Sequence, residues 1–191
     1  RIRPSNSSRI GRHRAEFFGN LVKKGVHVRI VTNSLSSTDV PVVHAGYARH
    51  RRNLLRAGVE LYEMNRQIAT EQRGGMRTFT GSSKASLHAK SFVLDRRHVF
   101  IGSLNLDPRS VIENTEIGVV IDAPEMAQTM ADWFDKNIDQ VAFRVSLEPG
   151  DDGAEELRWH GIHEGKAVVY KTEPHSSVWQ RMGINFIKQY A

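Results

Sequence analysis

Four polar residues, spaced in two pairs, could carry out chemistry on a phosphate group. His88 and Lys90 lie two residues apart in one apolar segment, and Ser103 and Asn105 lie two apart at the end of the next. Side chains at positions i and i+2 of a β-strand point to the same face of a sheet. Two neighbouring strands would therefore direct an imidazole, an ammonium group, a hydroxyl and a carboxamide toward one cleft.

Each of these groups has a function in phosphodiester chemistry. A histidine can attack phosphorus through one ring nitrogen, or it can protonate a leaving oxygen. A lysine, a carboxamide and a hydroxyl can stabilise the additional negative charge of a five-coordinate phosphorane. Glu116, eleven residues after Asn105, could accept a hydrogen bond from the other imidazole nitrogen and select its tautomer. This chemistry requires neither a metal ion nor another cofactor.

Asp95 is predicted to be structural and to make no direct contact with the reacting phosphate. It lies seven residues after His88, an odd offset that turns its side chain to the opposite face or places it in the turn between the two strands. In that turn it could cap the backbone or pair with a basic residue.

The elements that would position the site alternate between helices and strands. The first part of the chain predicts helices at about Ser7–Lys24 and Val42–Ala57, and strands at His27–Asn33 and Val59–Met64. Leu87–Leu94 and the segment after its turn are apolar on both faces, which is typical of strands inside a covered sheet. We therefore expect an α/β fold, a three-layer α-β-α sandwich around a mixed sheet, forming one lobe of a two-lobe enzyme.

The second part of the chain predicts further strands around one long helix. Thr115–Ile121 and Phe143–Glu148 have strand patterns, two short strands follow, and Asn65–Lys84 has the composition of a long loop. A helix is expected from Pro124 to about Asp139. Its large apolar residues lie at helical spacing and are expected in the core: Met126, Met130, Trp133 and Phe134.

Two segments leave alternatives open. The basic cluster Arg49–Arg52 lies on the second predicted helix, where a solvated face is expected and a phosphate-binding patch is the alternative. The tail from Ser176 to Ala191 is amphipathic. We expect it to pack against the domain, with an interfacial membrane helix as the alternative.

Composition limits the class of protein and its partners. The chain has no cysteine, which excludes disulfides, cysteine-ligated zinc and thiol catalysis. Its 27 basic and 21 acidic residues give a net charge of +6, which favours anionic partners without choosing among nucleic acid, acidic lipid and phosphorylated substrates. It has no apolar run long enough for a transmembrane helix. We expect residues 1–191 to form one domain of a longer chain, with residues 150–191 as a C-terminal extension of that domain.

At this point the residues carry a family resemblance. The spacing resembles the HKD signature of the phospholipase D superfamily: His88-x-Lys90-x4-Asp95, Gly102-Ser103-x-Asn105 and Glu116. The resemblance covers most of the chain, which is similar to the C-terminal half of bacterial cardiolipin synthases of the phospholipase D type. It is carried by GVHVRIVTNSLSSTD, YARHRRNLLRAGVELYE, GSLNLDPRSVIENTEIGVVI and TEPHSSVWQRM.

The resemblance implies an enzyme in which two such motifs face each other across a pseudo-twofold axis. One histidine forms a phosphohistidine and the other protonates the leaving group. His88 would be one of this pair, and its place in the later half favours the acid–base role. The other motif residues would take these roles: Lys90 and Asn105 bind phosphate oxygens, Ser103 supports the phosphate site, Glu116 orients His88, and Asp95 and Gly102 are structural.

This chain carries one such motif, so the resemblance implies a second HKD lobe, in the same chain or supplied by homodimerisation. The expected activity is a phosphatidyltransferase that acts on anionic glycerophospholipids, with phospholipase D hydrolysis when water is the acceptor. The full-length protein would be peripheral, on the cytoplasmic side of a bacterial membrane, and the isolated fragment inactive unless it dimerises. The alternatives are a phosphodiesterase or nuclease of the same superfamily, and a non-catalytic lobe. Nucleic acid is not a partner in the leading hypothesis, since no aromatic platform accompanies the basic runs.

Overall fold

The computed structural model describes residues 6–38, 41–65, 90–103 and 117–183. These residues form three long helices and eight strands. In chain order they are α1 (Asn6–Lys23), β1 (Arg29–Asn33), α2 (Pro41–Arg56), β2 (Glu60–Met64), β3 (Lys90–Leu94), β4 (His98–Gly102), β5 (Gly118–Asp122), α3 (Pro124–Val141), β6 (Ala142–Pro149), β7 (Glu155–His163) and β8 (Lys166–Tyr170). The predicted order of helices and strands is confirmed across these ranges. The predicted loop Asn65–Lys84 lies outside the described residues, apart from Asn65.

The first two helices end at glycines, as the sequence predicts. Gly25 and Gly58 both have a backbone φ near +85°, at 84° and 85°. Glycine adopts this left-handed conformation without the steric penalty that a β-carbon brings, so it ends a helix and turns the chain toward the next strand. A β-carbon on Gly58 would also lie 2.9 Å from the Val22 side chain, so the close approach of α1 depends on this residue.

The main sheet has five strands in the order β1-β2-β6-β7-β8. β1 and β2 are parallel and the other neighbours are antiparallel, so the sheet is mixed, as predicted. Leu61, Val145 and Trp159 lie side by side across β2, β6 and β7. They form one core cluster with Ala15 of α1 and Leu54 of α2. The first two helices therefore cover one face of this sheet.

The opposite face of the main sheet packs against α3. Val31 and Tyr62 lie next to each other on β1 and β2 and contact Phe134 and Ile138 of the helix. The rings of Tyr62 and Phe134 meet edge to face, with centroids 5.5 Å apart. With helices on both faces of a mixed sheet, the predicted three-layer α-β-α arrangement is confirmed for the main sheet.

A second sheet, β3-β4-β5, is antiparallel and carries the segment with the candidate chemistry. Its described side chains are more exposed than predicted: Phe92, Leu94 and Ile101 are 36%, 47% and 47% accessible, and among the described residues of this sheet only Val99 is fully buried. The prediction of a covered sheet is wrong for these residues. An apolar pattern shows that a strand can be buried, but the covering element must come from elsewhere in the fold. Among the described elements, α3 contacts β3 and β4.

The buried face of α3 also differs from the prediction. Met126 and Trp133 are 48% and 39% exposed, while Ala127 and Ala131 are buried. The buried residues of α3 are Ala127, Ala131, Ile138 and Val141, so Met126 and Trp133 lie outside its buried face. The core prediction is wrong for Met126 and Trp133 and is confirmed for Phe134, which packs against the buried Tyr62.

Residues 178–183 are helical, and their apolar side chains are exposed. Val178, Trp179 and Met182 are 58%, 80% and 57% accessible. The expectation that the tail packs against the domain is wrong for these three residues. Within the described ranges, no helix is long and apolar enough to cross a membrane.

Candidate active site

The three-residue turn 95–97 sets the register of the strands that carry the candidate site. Asp95 and Arg96 both have positive φ angles, 51° and 52°, and the Arg97 N–H donates to the Leu94 carbonyl at 3.0 Å. Two successive left-handed residues match the twist of a hairpin, and aspartate tolerates this conformation better than most residues. The resulting register aligns Lys90 with Gly102. Asp95 thus lies in the turn, at the opposite end of the strands from Lys90.

The structure brings two of the predicted site residues to the same end of the hairpin. Lys90 is the first residue of β3 and is half-buried, and Ser103 directly follows the last residue of β4. His88, Asn105 and Glu116 lie outside the described residues. Along the chain they lie two residues before Lys90, two after Ser103 and one before Ile117.

Ser103 ties the end of β4 to the residue that follows Glu116. Its backbone N–H donates to the Ile117 carbonyl at 2.9 Å. Its hydroxyl accepts a hydrogen bond from the Ile117 N–H at 3.1 Å and lies 3.3 Å from the Ile117 carbonyl. Ser103 therefore holds together the two strand ends beside which Asn105 and Glu116 occur in the chain.

The ring of Phe100 leaves no room for a side chain at two glycines, which lie at the same end of the sheet as Lys90. Gly102 and Gly118 face each other across β4 and β5. A β-carbon on Gly118 would lie 2.4 Å from the Phe100 ring, and one on Gly102 would lie 2.7 Å from the same ring. Phe100 also stacks on Phe92 with centroids 4.3 Å apart. This packing accounts for Gly102 as a structural residue of the motif.

Arg96 in the hairpin turn anchors the second sheet to the rest of the chain. Arg96 donates to Asp132 at 2.7 Å and also to Asp135 of α3, which in turn accepts from Arg29 of β1. The hydrogen bonds from Arg29 and Arg96 hold the pKa of the Asp135 carboxyl below its usual value. One carboxylate thus links both sheets through α3.

The described part of this end can supply positive charge and hydrogen bonds. Lys90 is a point charge suited to a phosphate oxygen, and Ser103 fixes the local backbone. In the ranges that the structure describes, no three histidine, aspartate or glutamate side chains come close enough to hold a metal ion.

Sequence reasoning missed a buried ionic network on α2. Arg51 is 2% exposed and donates to Glu63 at 2.7 Å and to Glu173 at 2.9 Å. Trp159 and Tyr47 also donate to the carboxylate of Glu63, at 2.9 and 3.2 Å. The expectation of a solvated face is therefore wrong for Arg51. The spacing of four residues between Tyr47 and Arg51 could have indicated this, because residues i and i+4 lie on the same face of a helix.

A buried histidine completes the network at the start of α2. The Nε2 atom of His44 lies 3.5 Å from Oε2 of Glu173, and its Nδ1 lies 3.3 Å from the backbone oxygen of Asn33. Burial opposes the charged form of Glu173, but the neighbouring His44 and the charge of Arg51 outweigh it and lower the pKa of Glu173 to about 2. The network fastens the chain after β8 to α2.

The lowered pKa of Glu173 predicts that stability falls in acid. Its usual pKa is 4.5 and its folded pKa is about 2, so its stabilisation is complete above pH 4.5 and is lost as the pH falls toward 2. The difference corresponds to about 3 kcal/mol. Urea unfolding between pH 7 and pH 2 should show this loss, and a Glu173→Gln variant should lack it. A Glu155→Gln variant, at an exposed residue, should retain it; equal pH profiles for parent and Glu173→Gln would contradict the assignment.

Comparisons with known proteins agree with the motif. Residues 15–138 match the family model described as cardiolipin synthase, PLD-like domain. The chain is 44% identical to cardiolipin synthase C of Escherichia coli (strain K12) over 162 residues, which is 85% of this chain and 33% of that protein. It is 28% identical to the 5'-3' exonuclease PLD4 of Mus musculus over 134 residues, 68% of this chain and 22% of that protein. The chain thus spans a third or less of the length of these relatives.

One solved structure has a similar arrangement over part of the chain. It is the phospholipase D family member Nuc from Salmonella typhimurium, with 20% sequence identity and a TM-score of 0.49. The alignment covers 69% of this chain and 72% of that one.

Proposed function

Because this chain belongs to the phospholipase D-like domain family, we propose that it is one catalytic lobe of a phosphatidyltransferase that makes cardiolipin from anionic glycerophospholipids. The observation that carries the choice of substrate is its 44% identity to cardiolipin synthase C over 85% of its length. The position of Lys90 and Ser103 at one end of adjacent strands supports the chemistry, since the other motif residues adjoin them in the chain.

The proposed reaction has two displacements at one phosphorus atom. A histidine of the second HKD motif attacks the phosphate of phosphatidylglycerol, and the bond from phosphorus to the headgroup oxygen breaks. His88 gives that oxygen its proton. The acceptor alcohol then loses its proton to His88 and attacks phosphorus, which breaks the bond to the first histidine and restores it. Water in place of the alcohol gives phospholipase D hydrolysis.

The remaining motif residues would stabilise and orient these groups. Lys90 and Asn105 would hold the phosphate oxygens, where negative charge increases in the five-coordinate transition state. Glu116 would accept a hydrogen bond from His88 and set its tautomer. Ser103 would act on this site through its hydrogen bonds to Ile117, and Asp95 and Gly102 would keep the hairpin geometry. The reaction as proposed uses no cofactor.

We also propose that residues 1–191 act as a single lobe. Residues 150–191 would be an extension of the same domain, because β7 and β8 continue the main sheet and Glu173 binds Arg51 of α2. The second HKD lobe would come from the same polypeptide or from a second copy, and the whole protein would work as a peripheral protein on the cytoplasmic side of a bacterial membrane.

The proposal is tested by supplying two substrates to the complete protein with both motifs. Phosphatidylglycerol vesicles should yield cardiolipin and glycerol, measured by mass spectrometry, and plasmid DNA should remain intact. Cleavage of DNA without lipid turnover would contradict the proposal and favour the nuclease alternative, to which the similarity with a mouse exonuclease also points.

A further inference from the structure

The segment after β8 begins with a buried anchor. Glu173 is 9% exposed and binds Arg51 of α2, and Pro174 beside it is fully buried. The hydroxyl of Ser176 donates to the backbone oxygen of Glu173 at 2.6 Å. Breaking a buried ion pair is costly, so the position at which this segment leaves the domain is well determined.

The helix that follows is started by reciprocal hydrogen bonds. The N–H of Gln180 donates to the Ser177 hydroxyl at 3.1 Å, and the Ser177 N–H donates to the Gln180 side-chain oxygen at 2.8 Å. This pair is a capping box, which stabilises a helix start by satisfying two free backbone donors. Arg181 adds a hydrogen bond to the Ser176 carbonyl at 2.6 Å. The domain therefore holds a short helix in a defined orientation.

Three large side chains on this helix are apolar and face solvent. Trp179 is the most exposed large apolar residue among those described, at 80%, and Val178 and Met182 on the same helix are more than half exposed. Met182 lies four residues after Val178, so the two are neighbours on one side of the helix. A firmly anchored helix that presents apolar groups to solvent is typical of an interaction surface.

The chemistry of the segment favours a lipid surface as its partner. From Pro174 to Ala191 the sequence has no acidic residue and includes Arg181 and Lys188, in a chain of net charge +6. Basic and apolar groups together bind the interface of an anionic bilayer, and tryptophan is enriched at that interface because its ring is apolar and its N–H is polar. We propose that Val178, Trp179 and Met182 insert into the interfacial region of an anionic phospholipid bilayer.

This docking deepens the proposed function, because an enzyme that acts on phosphatidylglycerol must meet it at a bilayer. The two proposals are measured separately. Binding to vesicles is followed with the His88→Ala chain, which needs no turnover. Catalysis is followed in the complete protein with both motifs, on short-chain phosphatidylglycerol dispersed as monomers, which needs no bilayer. Vesicle binding without catalysis would support the docking proposal and contradict the proposed function. Catalysis without vesicle binding would support the proposed function and contradict the docking proposal.

The test measures cosedimentation of the full chain with phosphatidylglycerol vesicles and with phosphatidylcholine vesicles. Binding should be stronger to phosphatidylglycerol, and Trp179→Ala should weaken it about tenfold. The matched control is Trp133→Ala on α3, which removes another exposed tryptophan and should leave the affinity unchanged. Equal affinity of the parent and Trp179→Ala would overturn the proposal.

A spectroscopic measurement keeps the test independent of folding. Vesicles that contain brominated phosphatidylglycerol should quench the tryptophan fluorescence of the parent and of Trp133→Phe, and should quench Trp179→Phe much less. Unchanged quenching in Trp179→Phe would overturn the docking. The docking would also be overturned if Trp179→Ala abolished self-association in sedimentation experiments while vesicle binding persisted. The exposed apolar side of the helix would then bind a second copy of the chain.

Discussion

Replacing His88 with alanine is expected to lower the turnover of phosphatidylglycerol by about 10²- to 10⁴-fold in the complete protein. In the proposed mechanism this imidazole supplies the proton that the leaving oxygen needs. Turnover is measured as cardiolipin formed over time, with protein folding checked by circular dichroism.

The matched control is His98→Ala, at the other end of the same hairpin. His98 begins β4 and its Nε2 lies 4.0 Å from a carboxylate oxygen of Asp122, an exposed contact far along the strand from Lys90. This variant should keep nearly full activity. Similar losses in both variants would point to a general effect on folding, and full activity of His88→Ala would reject its catalytic role.

A substrate that needs no protonation separates the two possible roles of His88. With a nitrophenyl phosphodiester, the leaving group departs as a stable anion, so an acid is not required for the first displacement. If His88 is the acid, His88→Ala should release nitrophenolate in a rapid burst and then stall. If His88 is the nucleophile, no burst should occur.

Replacing Arg51 with methionine is expected to lower the free energy of unfolding by about 3–5 kcal/mol. The substitution removes the cation that lies between two carboxylates, and Glu63 is fully buried. Its remaining donors are the Trp159 indole and the Tyr47 hydroxyl, which carry no positive charge. Urea unfolding of the full chain at pH 7 measures the difference.

Arg56→Met is the control on the same helix. Arg56 pairs with Glu155, but both side chains are half exposed, so water screens the pair and the loss should stay below about 1 kcal/mol. Adding Glu63→Gln to Arg51→Met should recover part of the stability, because it removes a buried charge that has lost its partner. Equal losses in the two arginine variants would contradict the buried network.

Local patterns predicted the elements well where local physics decides them. Gly25 and Gly58 mark the ends of the first two helices because a left-handed residue interrupts the helical hydrogen bonds. The strand pattern predicted β2, and its adjacent residues Leu61 and Tyr62 lie on the two faces of the sheet, which receive different helices. The type of fold follows from the order of such elements.

Predictions that depended on distant contacts were less successful. Arginine usually lies at the surface of a protein. Arg51 can be buried because Glu63 and Glu173, from other parts of the chain, pair with it. Trp133 is a large apolar residue of the type common in cores, but the buried face of α3 is formed by Ala127, Ala131, Ile138 and Val141. Whether a residue is buried depends on the residues that pack against it as much as on its own type. These contacting residues lie far away in the sequence.

In the candidate site, too, the sequence determined some features and contacts between distant residues determined others. The sequence alone determined the residue types and their spacing, and these led to the proposed chemistry of phosphate displacement, because the proposed roles depend on the side chains of His88, Lys90 and Asn105. The tertiary structure decided the register that aligns Lys90 with Gly102, the anchoring of the hairpin through Arg96, and the exposure of Trp179 on an anchored helix. These depend on pairings between residues far apart in the chain, whose free energy arises only when the chain folds.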